Sequence, residues 1–230
     1  MISVLLAAYC GEAFIGEQVA SILPQMENGD ELLVSDDSPE NQTATRDIVR
    51  AFGDPRICYM QGPRRGVIKN FEYLLGQARG ELLVLCDQDD VWLPDKLKCA
   101  RGMLSQRFPA LLMHDAKLTD ENLRVTEESL FRARNAGPGF WRNLLKNGYT
   151  GCCMAFTRAL LPHILPFPEG IPMHDQWIGL RAEKFATVFL LGEPLLLHRR
   201  HGETQTGRGS TLRQKLQWRW RMAKALRGKR

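Results

Sequence analysis

The chain has 230 residues, 44% hydrophobic and 25% charged, so it can bury one substantial core and does not have the composition of a disordered or fibrous protein. No run approaches the roughly 18 apolar residues that a membrane span needs, since VFLLGEPLLL is broken by Gly192, Glu193 and Pro194. The formal charge of +5 is concentrated: from Gln205 onward there are nine Lys or Arg and no acid, leaving 22 basic against 26 acidic residues before it, which argues against a nucleic-acid-binding core and marks a basic appendage.

The opening MISVLLAAYC carries no basic segment and meets Glu12 at once, so it reads as a first strand rather than a secretory leader, and the protein reads as cytoplasmic. Residues 12–23 place Phe14, Ile15, Val19, Ile22 and Leu23 on one helical stripe. A second strand over 31–35 runs into Asp36-Asp37-Ser38-Pro39. Helices over 42–52 and 67–79 flank a short strand at 56–60, and the strand at 81–86 ends in CDQDD. This alternation predicts an α/β layer structure with a mainly parallel sheet. The second half reads as strands at 109–113, 148–156, 187–191 and 194–198 around a helix over 173–184. One domain is expected over 1–204, with a nucleotide half to about 113 and an acceptor half beyond it, followed by a tail over 205–230. Six cysteines, at 10, 58, 86, 99, 152 and 153, form no C-x-x-C pair and no ligand spacing with histidine, so buried reduced thiols are expected.

In open α/β sheets ligands sit beyond the carboxyl ends of the strands. Here those ends are AAYCGE, SDDSPE and CDQDD, which would gather Asp36, Asp37, Asp87 and Asp89 on one rim. Such carboxylates repel one another and resist desolvation, so a compensating partner is expected. There is no G-x-x-x-x-G-K-[ST] and no G-x-G-x-x-G to cradle phosphates. A D-x-D pair holding Mn²⁺ or Mg²⁺ would do so instead, helped by Arg64, Arg65 and Lys69. Asp90 and Asp95 read as capping or solvated residues, and Trp92, Trp141 and Trp177 as core or cleft wall.

SVLLAAYCGEAFIGEQVASIL, LLVSDDS and GVIKNFEYLLGQARGELLVLCDQDDVW together resemble the nucleotide half of family 2 glycosyltransferases of GT-A fold. DQDDVW, NGYTGCCMAF, HDQW and HRRHGETQTG resemble the branch that includes bacterial rhamnosyltransferases and other surface-polysaccharide enzymes. The match runs in order over about 2–207. The resemblance implies a metal-dependent, inverting transfer of a sugar from a nucleoside diphosphate, such as dTDP-rhamnose or a UDP-hexose, to a glycan or lipid-linked glycan. It further implies Asp36, Ala8, Tyr9 and Glu12 beside the nucleoside, Lys69, Asp87 and Asp115 on the donor, Asp89 and His201 (or His198) on the metal, and Asp175 as the base. Cys10 stands where the family usually has Asn, and His114-Asp115 where it usually has Ser-Asp. A non-catalytic sugar-nucleotide-binding module is the alternative from a different class. In the tail, Leu212, Leu216, Trp220, Ala223 and Leu226 recur at helical spacing with bases between them. Such a helix over 210–230 can lie on an anionic membrane, placing the protein at the inner face of the plasma membrane.

Overall fold

The computed structural model describes residues 1–105, 108–201 and 211–228. The first half alternates as its spacing predicts: β1 (Ile2–Ala8), α1 (Ile15–Ile22), β2 (Glu31–Asp36), α2 (Ala44–Ala51), β3 (Ile57–Gln61), α3 (Val67–Gln77) and β4 (Leu82–Asp87). The second half comprises β5 (Val91–Trp92), α4 (Lys96–Met103), β6 (Ala110–Thr119), β7 (Val125–Glu127), α5 (Leu130–Arg134), α6 (Phe140–Leu145), β8 (Met154–Thr157), α7 (Leu161–Ile164), α8 (His174–Phe185), β9 (Thr187–Arg199) and α9 (Leu212–Gly228).

One mixed sheet runs β3-β2-β1-β4-β8-β6-β9-β5, with β7 paired to β6. The strands β3, β2, β1 and β4 are mutually parallel, and antiparallel β8 joins them to β6. Parallel strands covered on both faces have no polar side to present. Accordingly Ile2, Val4, Leu5 and Leu6 of β1 and Leu83, Val84 and Leu85 of β4 are fully buried. The apolar stripes of α1 (Ile15, Val19, Ile22) and α3 (Phe71, Leu74, Leu75) close on this sheet, each side chain contributing about 1.5–3 kcal/mol by leaving water.

Three expectations change. The strand at 109–113 continues to Thr119, because β9 pairs with β6 along its whole length. The two strands expected around Pro194 are one: register shifts between His114 and Lys117 absorb the interruption. The strand expected over 148–156 is confined to Met154–Thr157, and Gly151–Cys153 before it forms a 3₁₀ turn.

Close packing fixes α8 in place. A Cβ on Gly179 would lie 2.2 Å from the ring of Tyr149, whose side chain is buried and donates from its hydroxyl to Glu183 (2.8 Å). Gly179→Ala should therefore destabilise by about 1–3 kcal/mol through overpacking, read as a fall of several degrees in the thermal midpoint. An unchanged midpoint would show that Tyr149 can move aside.

The tail helix α9 is docked rather than free. Met222 and Leu226 are buried, and Arg219 Nε donates to the carbonyl of Leu145 in α6 (2.7 Å). The apolar stripe expected from spacing is thereby split: Leu226 faces the domain, whereas Leu216 and Trp220 are exposed. Trp141, expected in a core or cleft wall, is exposed as well. The expected boundary at 204/205 lies outside the described residues, as do 202–207 of HRRHGETQTG and the basic residues 208, 229 and 230.

Candidate active site

A cavity of about 590 Å³ opens beyond the carboxyl ends of β1 and β4 and is closed by residues of the second half. Ala7, Ala8 and Tyr9 line it from β1, Asp37 from the loop after β2, and Asp87, Gln88 and Asp89 from the end of β4. Thr150, Gly151, His174 and Asp175 face them, with His198 and His201 at the end of β9 and Arg134 from α5.

The loop at Asp87–Asp90 is held from several sides. Gln88 clamps β1 through its amide: Oε1 accepts from Tyr9 N (2.8 Å) and Nε2 donates to Tyr9 O (3.0 Å). Arg199 Nε donates to the carbonyl of Asp89 (2.9 Å), and the same guanidinium pairs with Glu17 of α1. Asp90, expected to cap a helix or sit in water, is fully buried; its Oδ1 lies 3.0 Å from His198 Nδ1 and accepts from Arg199 N (3.1 Å). That partner lies over a hundred residues away in sequence. Burial opposes the imidazolium of His198, but the Asp90 charge and hydrogen bond outweigh it and raise the pKa. Asp95 sits where solvation was expected, paired at the surface with Lys98.

The repulsion foreseen at the end of β4 is present. Burial, then the Asp90 and Asp89 charges, pushes the Asp87 carboxyl up. Asp89 is raised by burial and Asp90, and a hydrogen bond from His201 opposes the shift. His201 Nε2 lies 2.9 Å from Asp89 Oδ2, its ring packed on Phe14. This oxygen and nitrogen pair, with Asp87 beside it, fits a hard divalent cation completed by ligand oxygens. A second cluster, Asp90, Cys152 and His198, is wholly buried with donor atoms within 4.8 Å of one another. Its thiol is a soft donor ill suited to Mg²⁺ or Mn²⁺, and its carboxylate is already engaged by His198.

Asp175 lies in the first turn of α8, on the opposite wall. Its Oδ1 accepts from Asn147 Nδ2 (3.1 Å) and Gln176 N (2.5 Å). Burial outweighs these bonds and the Arg134 charge, and its pKa is pushed up to about 6.

Four expected donor contacts do not reach the cavity. Asp36 is buried with both carboxylate oxygens engaged, Oδ1 by Ser38 N (2.9 Å) and Oδ2 by the Tyr59 hydroxyl (2.8 Å). Its neighbour Asp37 lines the cavity instead, held by backbone N–H groups of Arg64 (2.9 Å) and Gly66 (3.0 Å). Lys69 is taken up by Glu72 (2.6 Å) and Glu169 (3.1 Å). Asp115 accepts from Phe131 N (2.9 Å) and Ser129 Oγ (2.5 Å), tying β6 to α5. Glu12 is exposed and receives a 3.3 Å bond from Thr45. Arg64, expected near phosphates, pairs with Glu40 at the surface, and Arg65 does not line the cavity either.

Cys10 adopts φ +47°, a left-handed turn at the end of β1. Side chains with a Cβ are strained there and Asn least so, so the turn would suit the Asn that the resemblance implies at this point. Cys10→Asn should raise stability by about 0.5–1 kcal/mol, read in a urea titration; a loss would mean that the Cys10 Sγ bond to Gln42 (2.8 Å) matters more than the turn.

Comparison with known proteins agrees with this architecture. The family model described as Glycosyl transferase family 2 matches residues 3–165. The chain belongs to that family. Over 170 residues it is 27% identical to the UDP-Glc:alpha-D-GlcNAc-diphosphoundecaprenol beta-1,3-glucosyltransferase WfgD of Escherichia coli, covering 73% of this chain and 64% of that one. It therefore spans a little under two thirds of that relative's length. Among solved structures, TarS of S. aureus in complex with UDP-GlcNAc superposes with a TM-score of 0.71 at 19% identity, over 91% of this chain and 61% of TarS. The mannosyltransferase PcManGT of Pyrobaculum calidifontis, solved with GDP-Man and Mn²⁺, gives 0.63 at 18% identity, over 98% and 61%. The fold is the GT-A fold of these proteins. Among the described residues, no helix is long and apolar enough to cross a membrane.

Proposed function

We propose that this protein transfers a sugar from a nucleoside diphosphate to a glycan acceptor, with inversion, during assembly of a bacterial surface polysaccharide. The observation that carries the reading is the meeting, around one cavity, of Asp87, Asp89 and His201 on one wall and Asp175 on another. Ala8, Tyr9 and Asp37 would hold the nucleoside, and Asp87 and Asp89 the diphosphate end. Asp89 and His201 would hold Mn²⁺ or Mg²⁺, which offsets negative charge on the diphosphate. Asp175, largely ionised at neutral pH with a pKa of about 6, would take the proton of the acceptor hydroxyl as that oxygen bonds to the anomeric carbon. The bond from that carbon to the diphosphate breaks in the same step, and the diphosphate leaves with its electron pair. The reading divides the domain as the sequence does, with donor residues before about 113 and the base after it.

The relatives are named for different donors, UDP-Glc, UDP-GlcNAc and GDP-Man, so a UDP-hexose stands beside dTDP-rhamnose as donor. The E. coli relative is named for a diphosphoundecaprenol acceptor, and we extend a lipid-linked acceptor, met at the cytoplasmic face of the membrane, to this chain. Calorimetric titration with UDP, dTDP and GDP, with Mn²⁺ and with chelator, tests the donor site and ranks the base. Metal-dependent binding of one of them supports the reading. Binding of none overturns it, and binding of a nucleotide sugar that no acceptor extract can turn over would favour a non-catalytic binding module.

A further inference from the structure

The outer surface formed by α6 and α9 is unlike the rest of the molecule. Of the ten large hydrophobic side chains exposed among the described residues, five lie on these two helices: Trp141 (74%), Leu145 (59%), Leu216 (55%), Trp218 (42%) and Trp220 (63%). The other two tryptophans, Trp92 and Trp177, are buried. Single exposed hydrophobics are normal, but a cluster on two touching helices marks an interaction surface. The charge around it has one sign. Arg213, Lys215, Arg219, Arg221, Lys224 and Arg227 lie on α9, which contains no acid, and none forms an ion pair among the described residues.

We propose that this α6–α9 surface docks on an anionic lipid bilayer, with Trp141 and Trp220 at the interface and the bases toward acidic headgroups. Amphipathic indole rings favour that layer, and each nearby base adds electrostatic attraction. Polyanions such as RNA would match the bases and leave Leu145 and Leu216 in water, so lipid fits the whole surface better. The helix is held for this role: Met222 and Leu226 anchor it inward while Leu216 and Trp220 face out.

The surface also bears on the cavity, and here the inference rests on the transferase reading. Gln176 Nε2 donates to the carbonyl of Asn143 in α6 (2.8 Å), and Asn147, two residues past α6, donates to Asp175 (3.1 Å). The docking helix and the first turn of α8 are thus directly joined. Docking would bring the Asp175 side of the cavity towards the bilayer, where a lipid-linked acceptor is carried.

Co-sedimentation of the full chain with phosphatidylcholine vesicles, and with vesicles mixed with phosphatidylglycerol, tests the proposal. Binding should need the anionic lipid and weaken with salt. Trp141→Ala combined with Trp220→Ala should lower it about tenfold or more, and Arg221→Glu with Lys224→Glu similarly. Circular dichroism and Mn²⁺-dependent nucleotide binding should stay as in the parent. Equal binding to neutral vesicles, no binding to either, unchanged binding by both variants, or binding to RNA in place of vesicles would each overturn the proposal. Vesicle binding without nucleotide binding would leave the surface standing and sink the transferase reading alone.

Discussion

Asp175→Asn should bind donor nucleotide as the parent does and yet turn over at least ~10²-fold more slowly. One carboxylate oxygen, Oδ1, accepts hydrogen bonds from both Asn147 and Gln176, and the Oδ1 of an Asn can accept both, so geometry survives while proton acceptance is lost. The same substitution should stabilise the fold. Folding raises the pKa of this carboxyl from 3.8 to about 6, so the native state holds its proton more tightly than the unfolded chain does. Above pH 6 the charged form is therefore a cost, worth about 1–3 kcal/mol. That cost falls away as the pH drops from 6 towards 4. Denaturant titrations at pH 7.5 and pH 4 should accordingly show a gain for Asp175→Asn that shrinks at the lower pH. In the parent, kcat/KM should fall tenfold for each pH unit below about 6. A pH profile with no limb in that region, or a variant retaining parental turnover, would remove Asp175 as the base.

Asp89→Ala should abolish metal-dependent binding of nucleoside diphosphate. Loss of this carboxylate would remove an oxygen ligand and the 2.9 Å partner of His201, while the half-buried Asp87 would still face the incoming diphosphate. Facing an uncompensated like charge, the nucleotide should lose about 3 kcal/mol, or roughly a hundredfold in affinity. Chelator should do the same to the parent and change little further in the variant. His201→Ala should fall between the two, since an oxygen ligand remains. Affinity in Asp89→Ala equal to the parent's, with and without chelator, would falsify this assignment.

The strands that build the rim are legible because each is a short, uninterrupted apolar run with its acids at one end. β1, β2 and β4 stand where those runs stand, and parallel pairing brings their ends together without further information. What the pattern cannot convey is which of two adjacent acids points outwards. Asp36 and Asp37 are equivalent in the sequence, and the choice is made by the backbone N–H groups of Arg64 and Gly66, which hold Asp37 at the cavity. Lys69 did carry a local signal, since Glu72 three residues on is a standard helix partner. Asp90 carried none: its partner His198 is supplied by β9, whose own course past Pro194 depends on pairing with β6. Asp115 stays away from the cavity for a related reason, its carboxylate being spent on the start of α5. The tail periodicity found a helix, but not which of its apolar residues the domain would cover.

The amide of Gln88 extends the sheet beyond its own backbone. The β1–β4 ladder ends at the pairing of Ala7 with Asp87, and one step later the side chain of Gln88 supplies Tyr9 with the acceptor and donor that a neighbouring strand would have offered. A carboxamide here acts as a detached peptide group. The residue between the two acids therefore ties the end of β1 to the end of β4 at the rim of the cavity. On the proposed transferase reading, adjustment of the cavity to a sugar is expected on the opposite wall, where Gly151 and Asp175 are carried by the second half of the chain.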